Sequence, residues 1–222
     1  MRTLFIEAKS NAKINIPDNY INELPDKIGL LTTVQFIDEL EHLKKQLESK
    51  KKLVFYGKGS RCKYRGQILG CDAGAAEHVK EMVQAFLYIG SGEFHPIIIA
   101  LKTEKPVFKF NPTTNEFSKV KKEEIEKIAK KLKGLKLKFL SSNNIGILAS
   151  AKQGQANMAA AKKIKSQFKE KSFHTFLFDT LDFDQLMNFP QIECWINTAC
   201  NRIVYDDAIE RGISILNYED IQ

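Results

Sequence analysis

Short apolar runs alternate with longer amphipathic stretches along the whole chain. Ile28-Gly29-Leu30-Leu31-Thr32, Leu53-Val54-Phe55-Tyr56 and Ala85-Phe86-Leu87-Tyr88-Ile89 read as buried strands, being too short for helices and rich in aliphatic and aromatic residues. Leu4-Phe5-Ile6, Gln67-Ile68-Leu69, Ile97-Ile98-Ile99 and Val107-Phe108-Lys109-Phe110 are shorter candidates of the same kind, the last ended by Asn111-Pro112. Phe36, Leu40, Leu43 and Leu47 recur at helical spacing among Glu and Lys, and a further helix is predicted from Asp72 past Met82. Residues 121–133 predict a charged connecting helix with Ile125, Ile128 and Leu132 on one side. Beyond it the pattern predicts strand 145–149, helix 156–169, strand 173–178, helix 183–187, strand 194–197, a turn at Cys200 and strand 213–216. Strands alternating with helices argue for parallel sheets with ligand sites at the carboxyl ends of strands. The prediction is an α/β chain of two consecutive small domains with mainly parallel sheets, residues 1–118 and 119–222, dividing near Lys119.

The 222 residues, 43% hydrophobic, suffice for a packed core. No run approaches the roughly 20 apolar residues that span a bilayer, and Met1-Arg2-Thr3-Leu4-Phe5-Ile6-Glu7 is too charged for a secretory signal. A cytoplasmic protein with no membrane partner is expected. In that reducing compartment its four cysteines read as metal ligands, reactive thiols or core residues rather than disulfides. The net charge of +7 is mostly lysine, much of it between Lys119 and Lys138. That stretch is a solvated helix face or a docking surface for an acidic or RNA-rich partner. No basic motif interleaved with aromatics accompanies it, so charge alone does not make this a nucleic-acid binder.

Two cysteines follow short apolar runs at strand exits: Gly66-Gln67-Ile68-Leu69-Gly70-Cys71-Asp72 and Trp195-Ile196-Asn197-Thr198-Ala199-Cys200. Cys71 precedes the helix predicted from Asp72, and a helix N-terminus favours a thiolate able to bind iron or zinc. As residues alone, both are equally compatible with small structural side chains at tight turns. Cys62 lies between Arg61 and Lys63, whose charges would favour its thiolate, and is a spare ligand candidate; Cys194 lies in a predicted strand and reads as core. The C-x8-C and C-x5-C spacings match no common zinc module, and C-x3-C-x2-C is absent. Gly90-Ser91-Gly92-Glu93-Phe94-His95 follows a strand, and His95 could bind a ligand or relay a proton, or be structural before Pro96. Gly154-Gln155, with Lys152 nearby, opens the helix predicted at 156 and could hold an anion on its backbone, although it is not a full G-x-G-x-x-G and a plain turn fits equally. Thr33 and Gln35 follow another strand, where a helix cap is the simpler reading. Asp206-Asp207 is expected to cap a helical turn, and no Ser-His-Asp set or catalytic carboxylate pair stands out.

Taken together, five segments resemble the diphthamide synthase family, the 2-(3-amino-3-carboxypropyl)histidine synthases. They are Ile28-Gly29-Leu30-Leu31-Thr32-Thr33-Val34-Gln35, Gly66 to Cys71, Phe86 to His95, Lys152-Gln153-Gly154-Gln155 and Asn197-Thr198-Ala199-Cys200-Asn201-Arg202-Ile203, in the family's order across nearly the whole chain. The resemblance implies two Rossmann-like domains matching the family's second and third. It also implies transfer of the 3-amino-3-carboxypropyl group of S-adenosylmethionine to a histidine of translation elongation factor 2, by a noncanonical radical route with a [4Fe-4S] cluster held by cysteines from three domains. By motif position Cys71 and Cys200 would be the second and third ligands, and Gln155 with Gly154 would lie near the methionine end of the cofactor. Lys152, Thr33, Gln35 and His95 join them as cofactor-binding candidates. The first domain and its cysteine have no counterpart here, and Asn201 stands where the family usually has proline. A cluster on two protein thiolates would be labile. The expectation is an enzyme subunit or fragment that forms a homo- or hetero-oligomer, and three explanations of the missing ligand stay open: another chain supplies the domain, Cys62 substitutes, or the chain is a degenerate subunit with no cluster of its own. The alternative is a non-catalytic scaffold that binds a partner enzyme or elongation factor 2.

Overall fold

The computed structural model describes Leu4 and residues 6–221. The apolar run at Leu4-Phe5-Ile6 lies partly outside the described residues; Leu4 and Ile6 are exposed and belong to no strand. The chain divides into two compact units, residues 1–125 and 126–222.

The first unit contains α1 (Asp18–Glu23), β1 (Lys27–Thr32), α2 (Leu40–Ser49), β2 (Leu53–Phe55), α3 (Gly74–Glu77), β3 (Ala85–Ile89), α4 (Phe94–Thr103), β4 (Val107–Asn111) and β5 (Glu116–Lys119). Its five-stranded sheet has the order β2-β1-β3-β4-β5, parallel except for the antiparallel β4–β5 hairpin. β1 and β3 are buried on both faces, which is why they read as continuous apolar runs rather than alternating ones. Phe36 lies in a 3-10 turn at Val34–Glu39, and α2 adds Leu40, Leu43 and Leu47, packing on Ile28, Leu30, Leu87 and Ile89. Each such side chain contributes roughly 1.5–3 kcal/mol on full burial.

Three expectations need correction here. Ile97-Ile98-Ile99 is not a strand; it lies in α4, a helix whose apolar residues are largely buried and whose Pro96 sits in the first turn, where no intrahelical N–H is needed. The helix predicted from Asp72 past Met82 is only the four residues of α3 followed by turns. Gln67-Ile68-Leu69 forms isolated bridges rather than a strand.

The connecting helix α5 (Lys122–Ser141) continues well past residue 133 and crosses the division between the units. The second unit continues with β6 (Asn144–Ser150), α6 (Met158–Gln167), β7 (Ser172–Phe178), β8 (Cys194–Asn197), α7 (Ile209–Arg211) and β9 (Ile215–Asn217). Its sheet has the order β7-β6-β8-β9, with all neighbours parallel. Phe139 of α5 and Ile164 of α6 pack with Ile145, Ile147, Ile196 and Leu216. The helix predicted at 183–187 is a 3-10 turn, Asp184–Asn188. Asp206 and Asp207 lie inside a π-helical run, Ile203–Ala208, that leads into α7, so neither caps a helix.

Both sheets reverse their strand order beside the first strand of each unit, between β1 and β3 and between β6 and β8. In parallel α/β sheets the crevice beyond the carboxyl ends of such a strand pair is the preferred ligand position.

Candidate functional site

In the first unit, residues 66–72 lie across the carboxyl end of β1. The Thr32 N–H donates to the Gly66 carbonyl (2.9 Å) and the Ile68 N–H donates to the Thr32 carbonyl (2.8 Å). The Thr32 hydroxyl donates to the Ile89 carbonyl (2.8 Å), tying β1 to β3 at that end. Leu69 and Asp72 exchange backbone hydrogen bonds of 3.2 and 3.0 Å, making the tight turn that carries Gly70 and Cys71. A Cβ on Gly70 would stand 2.3 Å from a ring carbon of Phe94, so only glycine lets α4 approach this turn so closely. Cys71 is a free, partly exposed thiol. Asp72, 8% exposed, accepts the Arg61 N–H (2.5 Å) and the Gly74 N–H (2.9 Å).

Two expectations about this turn fail. α3 begins beyond Asp72 and has four residues, so Cys71 does not stand at the start of a substantial helix. Cys62 is buried, and burial, then Asp72 and Cys71, push its thiol up to about 12. The cations at Arg61 and Lys63 therefore do not activate it, because removal from water outweighs their charge.

His95 is in the first turn of α4; its Nδ1 lies 3.3 Å from the Tyr88 hydroxyl and the two rings stack. Burial pushes the Tyr88 phenol above its ordinary value. Thr33 precedes the Val34–Glu39 turn without a capping bond from its side chain, and Gln35 is exposed, with its carbonyl accepting from Ser10 (2.7 Å). The structure thus groups Thr33, the Cys71 turn and the segment from Gly90 to His95 at one end of one sheet. Beside them, between the β3–α4 turn and the β4–β5 hairpin, is a cleft of about 380 Å³ lined by Gly90, Gly92, Glu93, Lys109, Asn111 and Glu116 among others. Lys109 and Glu93 form an ion pair at that cleft.

In the second unit, β8 ends at Asn197, and the Thr198 N–H and hydroxyl both donate to the Leu148 carbonyl of β6 (3.0 Å each). Asn197 and Asn217, 1% and 0% exposed, end two adjacent strands and hold the next turn. The Asn197 carboxamide nitrogen donates to the Cys200 carbonyl (2.9 Å) and to Asn217 Oδ1 (2.8 Å), and its oxygen accepts the Ala199 N–H (3.0 Å). Asn217 donates to the Asn201 carbonyl (3.4 Å) and to Asp220 (3.3 Å). Asn201 donates from its side chain to Glu219 (2.8 Å), and its carbonyl receives the N–H groups of Val204 and Tyr205. The Tyr205 hydroxyl donates to Asp220 (2.8 Å), and burial and that carboxylate raise its phenol above the ordinary value. Cys200 is free and partly exposed; Cys194, wholly buried in β8, has its thiol pushed up to about 11 by burial.

Gly154, with φ +83°, makes a turn ahead of α6 rather than opening it. The N–H groups of Gln155 and Ala156 both donate to the Lys152 carbonyl (3.1 and 3.0 Å), so they are not free to cradle an anion. Asn157 caps α6 by accepting the Ala160 N–H (3.1 Å), and the Lys152 ammonium lies 3.4 Å from the Thr180 hydroxyl. Sequence reasoning passed over Asp72, Phe94, Asn197 and Asn217. For the two asparagines a signal was present: a carboxamide closing each of two buried apolar strands needs partners.

A family model described as a putative diphthamide synthesis protein matches residues 1–216. The chain belongs to that family. The 2-(3-amino-3-carboxypropyl)histidine synthase of Pyrococcus horikoshii is 33% identical over 190 residues, 84% of this chain and 54% of the relative. That of Methanocaldococcus jannaschii is 37% identical over 146 residues, 64% of this chain and 41% of the relative. A crystal structure of Dph2 from Pyrococcus horikoshii with a 4Fe-4S cluster superimposes with a TM-score of 0.75 at 30% identity, covering 92% of this chain and 58% of that one. The chain spans about half the length of the curated relatives it matches.

A [4Fe-4S] cluster takes cysteine thiolates, and the donors present fit it in kind. Each unit offers one free, partly exposed thiol just beyond the carboxyl edge of its sheet. Among the described residues no group of three or more His, Cys, Asp or Glu could hold a metal ion. No helix among the described residues is long and apolar enough to cross a membrane.

Proposed function

We propose that this chain is a subunit or fragment of the enzyme that transfers the 3-amino-3-carboxypropyl group of S-adenosylmethionine to a histidine of elongation factor 2, the first step of diphthamide biosynthesis. The observation that carries the reading is the pairing of family membership with one accessible thiol at the strand-order reversal of each sheet. Cys71 and Cys200 would hold a [4Fe-4S] cluster, with a further thiolate from a partner chain carrying the domain that the resemblance leaves unmatched. When bound, that group supplies the electron for cleaving a carbon–sulfur bond of the cofactor. The protein's part is positional. The Leu69–Asp72 turn and the Asn197–Asn217 pair fix the two thiol-bearing turns, while burial keeps Cys62 and Cys194 protonated and out of competition. The side chains of Gln155, Lys152, Thr33, Gln35 and His95 are the candidates for contacts with the cofactor, whereas the backbone of Gln155 is already engaged.

The test is anaerobic reconstitution of the chain together with its partner. Iron and sulfide should be retained by the wild type and lost on Cys71→Ala or Cys200→Ala. A wild-type complex that binds no iron overturns the reading and leaves a scaffold, whose complex would survive both substitutions.

A further inference from the structure

The lysines of the second unit are concentrated on one side of its sheet. α5 joins β6 through Ser142 and Asn143, and α6 returns from the end of β6 to the start of the parallel strand β7. Both helices therefore run antiparallel to β6 and parallel to each other. They cover the same face. Phe139 of α5 and Ile164 of α6 pack on Ile145, Ile147 and Ile196, and the Phe139 ring meets that of Phe168, just past α6, edge-on at 5.0 Å. Residues 127–141 and 158–169 hold ten lysines and no Asp or Glu. Lys131 and Lys138 are tied down, to the Ile209 carbonyl (3.3 Å) and the Ser214 hydroxyl (2.8 Å). Lys127, Lys130 and Lys133 on α5 and Lys162, Lys163 and Lys165 on α6 are exposed and form no ion pair among the described residues. Like charges three or four positions apart repel along a helix, so each row costs stability until an anion meets it. Acidic residues of this unit stand elsewhere, as at Asp179, Asp182 and Asp184 beyond the end of β7.

We infer that this face binds the phosphate backbone of double-stranded RNA. The side chains choose among polyanionic partners. Protein interfaces favour arginine and aromatic anchors and are poor in lysine; neither stretch contains an arginine, tyrosine or tryptophan. Single strands are held by stacking their bases on exposed aromatic rings, and the two phenylalanines present, Phe139 and Phe168, are turned against each other at the core. What remains is lysine acting as a point charge, which contacts phosphates and reads no base. Two parallel rows suit A-form RNA, whose narrow major groove brings its two phosphate strands close together, whereas the major groove of B-DNA is about 12 Å wide. The sequence displayed one row; the packing of α6 on the same face as α5 supplies the second. This face involves neither Cys71 nor Cys200, so RNA binding and iron binding can fail independently.

Fluorescence anisotropy with the full chain and a labelled RNA duplex of roughly 16 base pairs tests it. Affinity should fall about a thousandfold between about 50 and 200 mM salt, the loss expected for about six phosphate contacts. A DNA duplex of the same sequence should bind more weakly. Lys130→Glu with Lys163→Glu, one on each helix, should weaken RNA binding more than about tenfold and flatten the salt slope by about two. Lys45→Glu, exposed on α2 of the first unit, should change neither. Circular dichroism should be unchanged throughout; if the reversals unfold the chain, Lys130→Gln with Lys163→Gln decides, with the same flattening expected. RNA binding that ignores salt, DNA binding as tight as RNA binding, or an equal loss in Lys45→Glu overturns the proposal. So does a chain that binds no duplex RNA at about 50 mM salt, a result that would leave this surface, with its exposed Leu137 and Leu140, to an acidic protein.

Discussion

The Cys71 turn is fastened by a carboxylate and the Cys200 turn by two carboxamides. Asp72 collects two backbone N–H groups within its own loop, so the anchor is local and charged. Asn197 and Asn217 bridge the ends of two strands, so the second anchor is neutral and part of the sheet. Bonds to an ionised acceptor are stronger than neutral ones, but a network with every member partnered is more rigid. The same placement of a thiol has thus been reached by two different polar devices, and the two turns should fail differently.

The largest effect is expected for Asp72→Ala, which strips two N–H groups of a charged acceptor and should cost about 3 kcal/mol in urea unfolding. A loss below about 0.5 kcal/mol would remove the carboxylate from the account. Asn197→Ala should cost about 2 kcal/mol, through several neutral bonds, and should also speed alkylation of Cys200 while leaving Cys71 unchanged. Equal acceleration of both thiols would mean that the two turns are not independently held. Gly70→Ala comes next: the new methyl meets the Phe94 ring, at a cost of about 1–2 kcal/mol, which Phe94→Leu in the same chain should partly restore.

The smallest effect is one of order rather than stability. Iodoacetamide at neutral pH should label Cys71 and Cys200 before Cys62 and Cys194, whose thiols burial holds at about 12 and about 11 against an ordinary 9.0. The sign follows from the raised values. The stabilisation from keeping these thiols neutral is complete below pH 9 and is lost as pH rises through about 11 and then about 12, with Cys194 of the second unit yielding first. Mass-spectrometric mapping that finds Cys62 as reactive as Cys71 would contradict the burial argument.

Legibility in the sequence followed burial. β1, β3, β6 and β8 lie in sheet interiors and were readable as apolar runs. The spacing of Leu40, Leu43 and Leu47 gave α2 because one face of that helix is wet. Ile97-Ile98-Ile99 misled because a short apolar run has no period to read, and α4 buries too much of its circumference to show one. The β4–β5 hairpin went unseen because β5 is an exposed edge strand with little apolar patterning. At the candidate site the motifs around Cys71 and Cys200 were readable, whereas the direction of the Cys62 shift was not, because adjacent cations are obvious in a sequence and desolvation is not.

The sequence by itself determined the α/β class, the family and the motifs that carry Cys71 and Cys200, because those depend on local pattern. Tertiary structure alone decided which thiols are accessible and what fastens each turn. Those properties depend on burial and hydrogen-bond partners drawn from distant parts of the chain, such as Asn217 for Asn197 and Phe94 for Gly70.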